Sequence, residues 1–187
     1  MKTIYIILTR SRSMISRAIA LCTGDRYTHA SLSFDGSLAS LYSFARKHAA
    51  LPLPAGLVVE HLDRGFYRTQ DGIPCAVLRA KVPDRVYADA RRRVDQMLRR
   101  RRDYRYSVLG LFLCRHGIPA EMRDRFFCSQ FVAKVLSDAG ALRLPKPASL
   151  MRPADFADPA FCGANGLETV FRGRLDSLRR VSSVKNA

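Results

Sequence analysis

Two stretches of the sequence contain residue types that can do nucleophilic chemistry. The first, "DRYTHASLSF" (25–34), alternates like a half-buried strand and contains His29, while "RFFCSQFVAKVL" (125–136) opens an apolar helical pattern at Cys128. Unpaired amides at a helix start stabilise a thiolate and lower the pKa of a cysteine below its usual value of about 8.5. The pair therefore predicts a thiol nucleophile with an imidazole base.

Each of the two residues also has an ordinary structural explanation. Cys128 lies in phase with Phe131, Val132 and Val135, as a buried structural cysteine would. His29 falls on the polar face of its predicted strand, where a solvated histidine is common. Either residue alone is weak evidence, so the chemical interpretation depends on the two segments lying together.

A tyrosine close to His29 and three further histidines are the other residues of this kind in the sequence. Tyr27 precedes His29 by two residues, and we expect it either to line the mouth of the site as an oxyanion donor or simply to pack. The spacing of His48, His61 and His116 is not that of metal ligands, so no metal is predicted.

Hydrophobic periodicity, turn residues and prolines predict alternating strands and helices along the whole chain. The predicted strands are 3–9, a strand around His29, 40–45, 56–62, 74–82 and 167–175. The predicted helices are 13–22, 84–102, 106–117 and 128–139, with a hairpin turn at 35–37 and a Pro-rich surface loop at 143–161.

Length and composition indicate one soluble domain. The chain has 187 residues, 48% of them hydrophobic, and we expect a single domain over 1–175 followed by a basic, disordered tail at 176–187. An apolar run of membrane-spanning length and a secretory signal are both missing, which predicts a cytoplasmic protein. The five cysteines are an odd number without a CxxC pair, which disfavours a disulfide framework and a structural zinc site.

The charge balance is strongly basic. Lys and Arg number 32 against 16 Asp and Glu, so the formal net charge is +16. The run Arg99, Arg100, Arg101 and Arg102 on the outer face of the 84–102 helix is a candidate anion-binding site. Because aromatic interleaving and nucleic-acid-binding signatures are missing, we expect an anionic membrane surface in preference to specific nucleic acid.

Four motifs, in this order and spacing, resemble one known superfamily. They are "YTHASLSFD", "LYSFARK", "RFFCSQFVAKVL" and "SLMRPADF". Together they are similar to the circularly permuted branch of the NlpC/P60 papain-like superfamily, with its YiiX-like proteins and, more distantly, the lecithin:retinol acyltransferase group. The histidine precedes the cysteine by 128 − 29 = 99 residues, which is the permuted order.

The resemblance implies a fold and a set of site residues. The implied fold is α+β and permuted papain-like, with an antiparallel sheet packed against the cysteine helix and flanking helices. Cys128 would be the nucleophile and His29 the general base. YiiX-like relatives carry a glutamate on the strand after the histidine strand, where this chain reads "SLYSFA". A three-residue hairpin loop would place Ser43 opposite His29 as the third member, and Glu60 is the alternative.

The implied function is that of a cysteine hydrolase, an amidase or peptidase, acting on an amide or ester. The substrate would be a small molecule, a peptide or a lipid, and no metal or organic cofactor is required. Two alternatives stay open. One is a lipid acyltransferase of the same fold, and the other is a non-catalytic basic module that binds anionic lipid or nucleic acid.

Overall fold

The structure is a computed structural model that describes residues 1–10, 24–46 and 55–184. The chain has an α+β architecture with one large antiparallel sheet and several helices. The strands are β1 (Lys2–Thr9), β2 (His29–Ser33), β3 (Leu41–Arg46), β4 (Ala55–Glu60), β5 (Pro74–Val82), β6 (Arg105–Tyr106), β7 (Arg125–Phe126) and β8 (Leu167–Arg174). The helices are α1 (Asp84–Arg99), α2 (Val108–Arg115), α3 (Cys128–Asp138), α4 (Pro159–Asn165) and α5 (Leu175–Val184).

The large sheet has six strands in the order β4-β3-β2-β1-β5-β8, and β6 and β7 form a separate short parallel pair. Strand β1 lies near the middle, pairing with β2 on one side and β5 on the other. Its segment "TIYIILT" is rich in β-branched and apolar residues, which suits a strand covered on both faces. Ile6 belongs to the core on one face and Ile7 to the core on the other.

The larger core lies between the sheet and helices α1 and α3. Helix α3 buries Phe131, Val132 and Leu136 in this core, and α1 buries Ala90 and Val94. This burial fixes the start of α3 against the sheet.

A smaller apolar cluster covers the opposite face of the sheet, where Ile7 and Leu41 pack with Tyr67. Helix α5 contributes Leu175 and Leu178 to this cluster, and both are buried. The prediction of a disordered tail from residue 176 is therefore wrong as far as residue 184, because the segment has an apolar face that the sheet covers.

Two other predictions differ from the structure, and a third is not tested by it. The helix predicted to reach residue 102 ends at Arg99, so only the first of the four consecutive arginines is helical. The stretch predicted as a Pro-rich loop contains two short 3-10 turns and helix α4, which Asp158 caps through the amide of Phe161. The helix predicted at 13–22 lies outside the described residues.

Phe44 on β3 ties the sheet to the segment that leads into the cysteine helix. It is fully buried, with its ring centroid 5.4 Å from those of both Phe126 and Phe131. We expect Phe44→Ala to lower the free energy of unfolding by about 3–5 kcal/mol in urea titrations, because it leaves a cavity among three aromatic rings. The matched control, Val170→Ala at a half-exposed edge position, should cost less than about 1 kcal/mol. Equal losses from both variants would contradict this packing.

Candidate active site

Helix α3 begins at Cys128, directly after the short strand β7. The preceding residue, Phe127, has extended backbone (φ −104°, ψ 168°), and no side chain caps the helix. The first-turn amides are therefore left for other partners. The Cys128 Sγ lies 4.0 Å from the carbonyl oxygen of Thr28, and the residue is only 3% exposed. The helix start thus delivers a buried sulfur to the beginning of β2.

Strand β2 begins at His29 and positions its ring beside that sulfur. The backbone of His29 pairs with Thr9 of β1, and the Thr28 amide donates to the Thr9 carbonyl at 2.9 Å. The ring Nε2 lies 3.0 Å from Oε2 of Glu60, and the ring also interacts with the Cys128 thiol. The two side chains are 17% and 11% exposed, so this contact is largely shielded from water.

Glu60, at the end of β4, is held by two serines. The hydroxyl of Ser43 donates a short hydrogen bond to Glu60 Oε2, and that of Ser31 donates to the same oxygen at 3.1 Å. Ser31 Oγ also lies 3.2 Å from His29 Nε2. The structure therefore brings together Cys128, His29 and Glu60, with the serines behind the carboxylate.

The position predicted for Ser43 is wrong in its register. The connection between β2 and β3 spans residues 34–40, longer than a three-residue hairpin loop, and Leu32 pairs with Tyr42. This register puts Ser43 across from Ser31 instead of His29. Ser43 accordingly contacts the carboxylate of Glu60, and the Glu60 carboxylate contacts the ring.

The polar face predicted for β2 is also not a solvated one. Ser31 and Ser33 are fully buried, because the smaller apolar cluster, which includes Tyr67, covers that side of the sheet. The alternation of polar and apolar residues in the sequence identified which residues share a strand face with His29. It did not show whether that polar face is exposed to water or buried.

The electrostatics of the thiol and the imidazole favour the charged form of both. Burial by itself would lower the pKa of His29, but the negative charges of Glu60 and Cys128 outweigh it and raise the pKa to about 10. Burial would likewise raise the pKa of Cys128, but the charge and hydrogen bond of His29, with the amides of Ala30 and Ser129, lower it. Each of the two groups therefore favours the charged form of the other, which biases the pair toward thiolate and imidazolium.

Glu60 stays ionised in the same shielded region. Burial would raise its pKa, but the His29 charge, the His29 hydrogen bond and the hydroxyls of Ser43 and Ser31 together lower it. A shielded carboxylate with three hydrogen-bonding partners is the arrangement that fixes the orientation of an imidazole and stabilises its protonated form.

Two tyrosines border the charged groups. The Tyr67 hydroxyl lies 3.3 Å from Thr9 Oγ1, and burial together with the charge of Glu60 raises its pKa well above the usual value. On the opposite side, burial and the charge of Cys128 raise the pKa of Tyr106. Tyr106 is brought there by pairing with Phe126, two residues before the thiol. Both hydroxyls therefore remain protonated donors near the site.

Of the two roles expected for Tyr27, the structure shows packing. The residue is 3% exposed within the larger core, and the Arg26 guanidinium lies 5.8 Å from its ring centroid. Its hydroxyl is buried without a hydrogen-bond partner among the described residues. A role as an oxyanion donor stays a prediction.

The arginine run borders a cavity next to Glu60. This cavity, of about 550 Å³, runs along β4 and is lined by Glu60, Arg64, Tyr67, Arg101 and Arg102 among others. Neither Cys128 nor His29 lines it. Arg100 pairs instead with Asp103 at 3.1 Å. The four arginines thus diverge after the end of α1, and their predicted role in anion binding stays a prediction.

Sequence reasoning missed Ser31, the amides of Ala30 and Ser129, and Tyr67. Ser31 lies two residues after His29 on the same strand face, so its spacing could have indicated it. The amides of Ala30 and Ser129 are backbone groups and leave no residue-type signal. Tyr67 comes from a turn-rich segment in which nothing in the pattern points to β2.

Comparisons with known proteins leave the family open. No family model matches the chain, and no significant match was found among curated proteins or solved structures. The resemblance to the permuted NlpC/P60 branch therefore stays a prediction. Within the described residues, no helix is long and apolar enough to cross a membrane, and no group of three potential metal-ligating side chains is gathered in one place.

The ion pair predicts an unusual pH dependence of stability. Between the ordinary values of 6.5 for histidine and 9.0 for cysteine, folded His29 keeps a proton that the unfolded chain has lost. Between its lowered folded pKa and 9.0, folded Cys128 lacks a proton that the unfolded chain retains, so the two effects oppose each other there. In Cys128→Ala only the histidine contribution remains. Its stabilisation is full below pH 6.5 and is lost as pH rises through the folded pKa of His29, which Glu60 still raises but the removed thiolate no longer does.

We therefore expect the free energy of unfolding of Cys128→Ala to fall with rising pH across this range relative to the unsubstituted chain. The slope should approach about 1.4 kcal/mol per pH unit, since one proton is involved. Urea titrations at a series of pH values measure it. Cys162→Ala serves as the control and keeps the pair intact. Parallel curves for Cys128→Ala and the unsubstituted chain would contradict the ion pair.

The rate of alkylation at each cysteine shows whether ionisation of the thiol or its exposure to solvent decides its reactivity. Burial raises the pKa of Cys114 and Cys162, and it raises that of Cys75 to about 12, whereas the pKa of Cys128 is lowered. We expect iodoacetamide at mildly acidic pH to label Cys128 first, as measured site by site with mass spectrometry. Cys162 is the informative comparison, because it is more exposed than Cys128. Faster labelling of Cys162 would show that access, not ionisation, decides reactivity. Cys22 lies outside the described residues.

Proposed function

We propose that this protein is a cysteine hydrolase with a permuted papain-like fold, which cleaves an amide or ester through an acyl-enzyme on Cys128. One observation supports this most directly: the sulfur at the start of α3, the ring of His29 and the carboxylate of Glu60 form one continuous, shielded hydrogen-bonded series. Nucleophile, base and orienting acid are the parts that nucleophilic acyl transfer requires.

In the first half-reaction the Cys128 thiolate attacks the carbonyl carbon, and a C–S bond forms as the C=O π electrons move to oxygen. The amides of Ala30 and Ser129 hold the resting thiolate and become available as donors when the sulfur loses its charge. The His29 imidazolium then gives its proton to the leaving amine or alcohol as the C–N or C–O bond breaks. Glu60 keeps the ring oriented for this transfer.

In the second half-reaction water attacks the thioester. Neutral His29 takes a proton from the water, the new C–O bond forms, and the C–S bond breaks to release the acid and the thiolate. The thiolate and the imidazolium are restored, so the site returns to its starting charge.

A generic activated ester, p-nitrophenyl butyrate, tests the chemistry without knowledge of the substrate. We expect a burst of nitrophenolate and a butyrylated Cys128 in intact-mass and peptide analysis. Cys128→Ala should abolish the acyl-enzyme, and His29→Ala should slow acylation by about 10²–10⁴-fold, the usual contribution of a proton-transfer group. A folded protein that never acylates Cys128, yet still binds anionic vesicles, would support the non-catalytic module instead.

The serine and the carboxylate give a second set of variants. Glu60→Gln should slow acylation by at least about tenfold and shift the acid limb of its pH profile upward, because the loss of the charge lowers the pKa of His29, and a less protonated ring lowers the pKa of Cys128 less. Ser43→Ala should act in the same direction more weakly. Ser43→Glu should also impair acylation, since it places a second carboxylate against Glu60. Rates equal to those of Glu168→Gln, a surface carboxylate on β8, would remove Glu60 from the mechanism.

A further inference from the structure

Helix α2 exposes a continuous apolar surface. Val108 is 63% exposed, Leu109 59%, Phe112 60% and the following Ile118 51%. These four residues, called the α2 patch below, include most of the large hydrophobic side chains that are exposed in the described part of the chain. Single exposed apolar residues need no explanation, but a contiguous group on one element marks an interaction surface.

The patch is held in place by well-formed helix ends. Ser107 caps the start of α2 by accepting from the Gly110 amide at 3.0 Å. At the other end Gly117 adopts φ +70°, its amide bonds the Cys114 carbonyl, and the Ile118 amide bonds the Leu113 carbonyl at 3.0 Å. This Schellman arrangement folds Ile118 back onto the helix. The apolar surface is thus a built feature of the fold and not a frayed end.

The helix is apolar on its inner side as well, where Gly110 and Cys114 are buried. A helix that is hydrophobic all round has no amphipathic partition between core and water. One face of α2 packs against the protein interior. On the other face Phe112 contacts the ring of His116 at a centroid distance of 4.6 Å, and both residues are exposed.

The segment of the sequence that contains the patch is strongly basic, although Arg101 and Arg102 within it line the cavity beside Glu60. Between residues 99 and 125 the chain has eight arginines and three acidic residues, a local excess of 8 − 3 = +5. Arg105 stands two residues before the cap, and Arg123 follows Met122, whose sulfur lies 3.7 Å from the Ser107 hydroxyl. Both arginines are exposed. A partner that binds this surface must therefore offer both an apolar region and negative charge.

We propose that the α2 patch is a membrane-docking face that inserts into an anionic lipid bilayer, with the surrounding arginines at the head groups. Apolar side chains bordered by arginines match the layered polarity of an anionic bilayer. A second copy of this chain fits less well, because two such surfaces would bring the same positive charge face to face. The proposal goes beyond the acyl chemistry and does not depend on it.

Docking through α2 would also bring the thiol close to the bilayer. Tyr106 lies two residues before the start of α2 and pairs with Phe126, which lies two residues before Cys128. The helix that carries the patch and the helix that carries the nucleophile therefore each begin two residues after one strand of the β6–β7 pair.

The chain contains no tryptophan, so a single introduced one reports its own surroundings. We expect Phe112→Trp to show a blue shift of its emission with phosphatidylserine–phosphatidylcholine vesicles, and quenching by lipids brominated along their acyl chains. Val170→Trp, on the exposed edge strand β8, is the matched control and should show neither. An unshifted Phe112→Trp spectrum in a chain that sediments with these vesicles would place the insertion elsewhere and overturn the proposal.

Co-sedimentation with the same vesicles separates the apolar contribution from the charged one. Leu109→Ser with Phe112→Ser should weaken binding by on the order of a hundredfold, while Val170→Ser leaves it unchanged. Arg105→Gln with Arg123→Gln should weaken it by about fivefold for each charge, and the control Arg85→Gln with Arg172→Gln should weaken it less. Binding that is unchanged in the serine variant, or a patch-dependent dimer that excludes vesicles in sedimentation equilibrium, would overturn the proposal.

Discussion

The charged contact between His29 and Glu60 is the interaction on which the site depends. A buried carboxylate is costly unless it is paired and hydrogen-bonded, and here two hydroxyls and an imidazole share that task. Because Glu60 stays negative, the ring stays protonated, and because the ring stays protonated, the thiol of Cys128 can ionise in spite of its burial. Each charge in the series is stabilised by its neighbour.

The two cores of the molecule hold Cys128, His29 and Glu60 in place from opposite faces of the large sheet. The larger core fixes the position of the start of α3, and with it the position of the Cys128 sulfur beside β2. The smaller cluster covers the other face and shields the serines and Glu60 from water. The sheet itself sets the spacing, since β2, β3 and β4 are neighbours and each contributes one or two of the polar side chains.

The sequence predicted the α+β class, most strand positions and the start of the cysteine helix, because periodicity and turn residues are local signals. It selected Cys128 and His29 by pattern, and it named Glu60 only as the alternative to Ser43. The error came from loop length: an assumed short hairpin set the wrong register, and a register is decided by tertiary packing as much as by turn residues. The helical tail was missed for a similar reason, since its apolar face becomes meaningful only beside the sheet.

The origin of the carboxylate has a consequence for searches that use sequence patterns. Glu60 reaches the ring from β4, across β3, and the strand that follows the histidine strand carries no acidic residue. A pattern that requires an acidic residue on the strand after the histidine would not select this chain. A three-dimensional template of thiol, imidazole and carboxylate, indifferent to which strand supplies the acid, would select it.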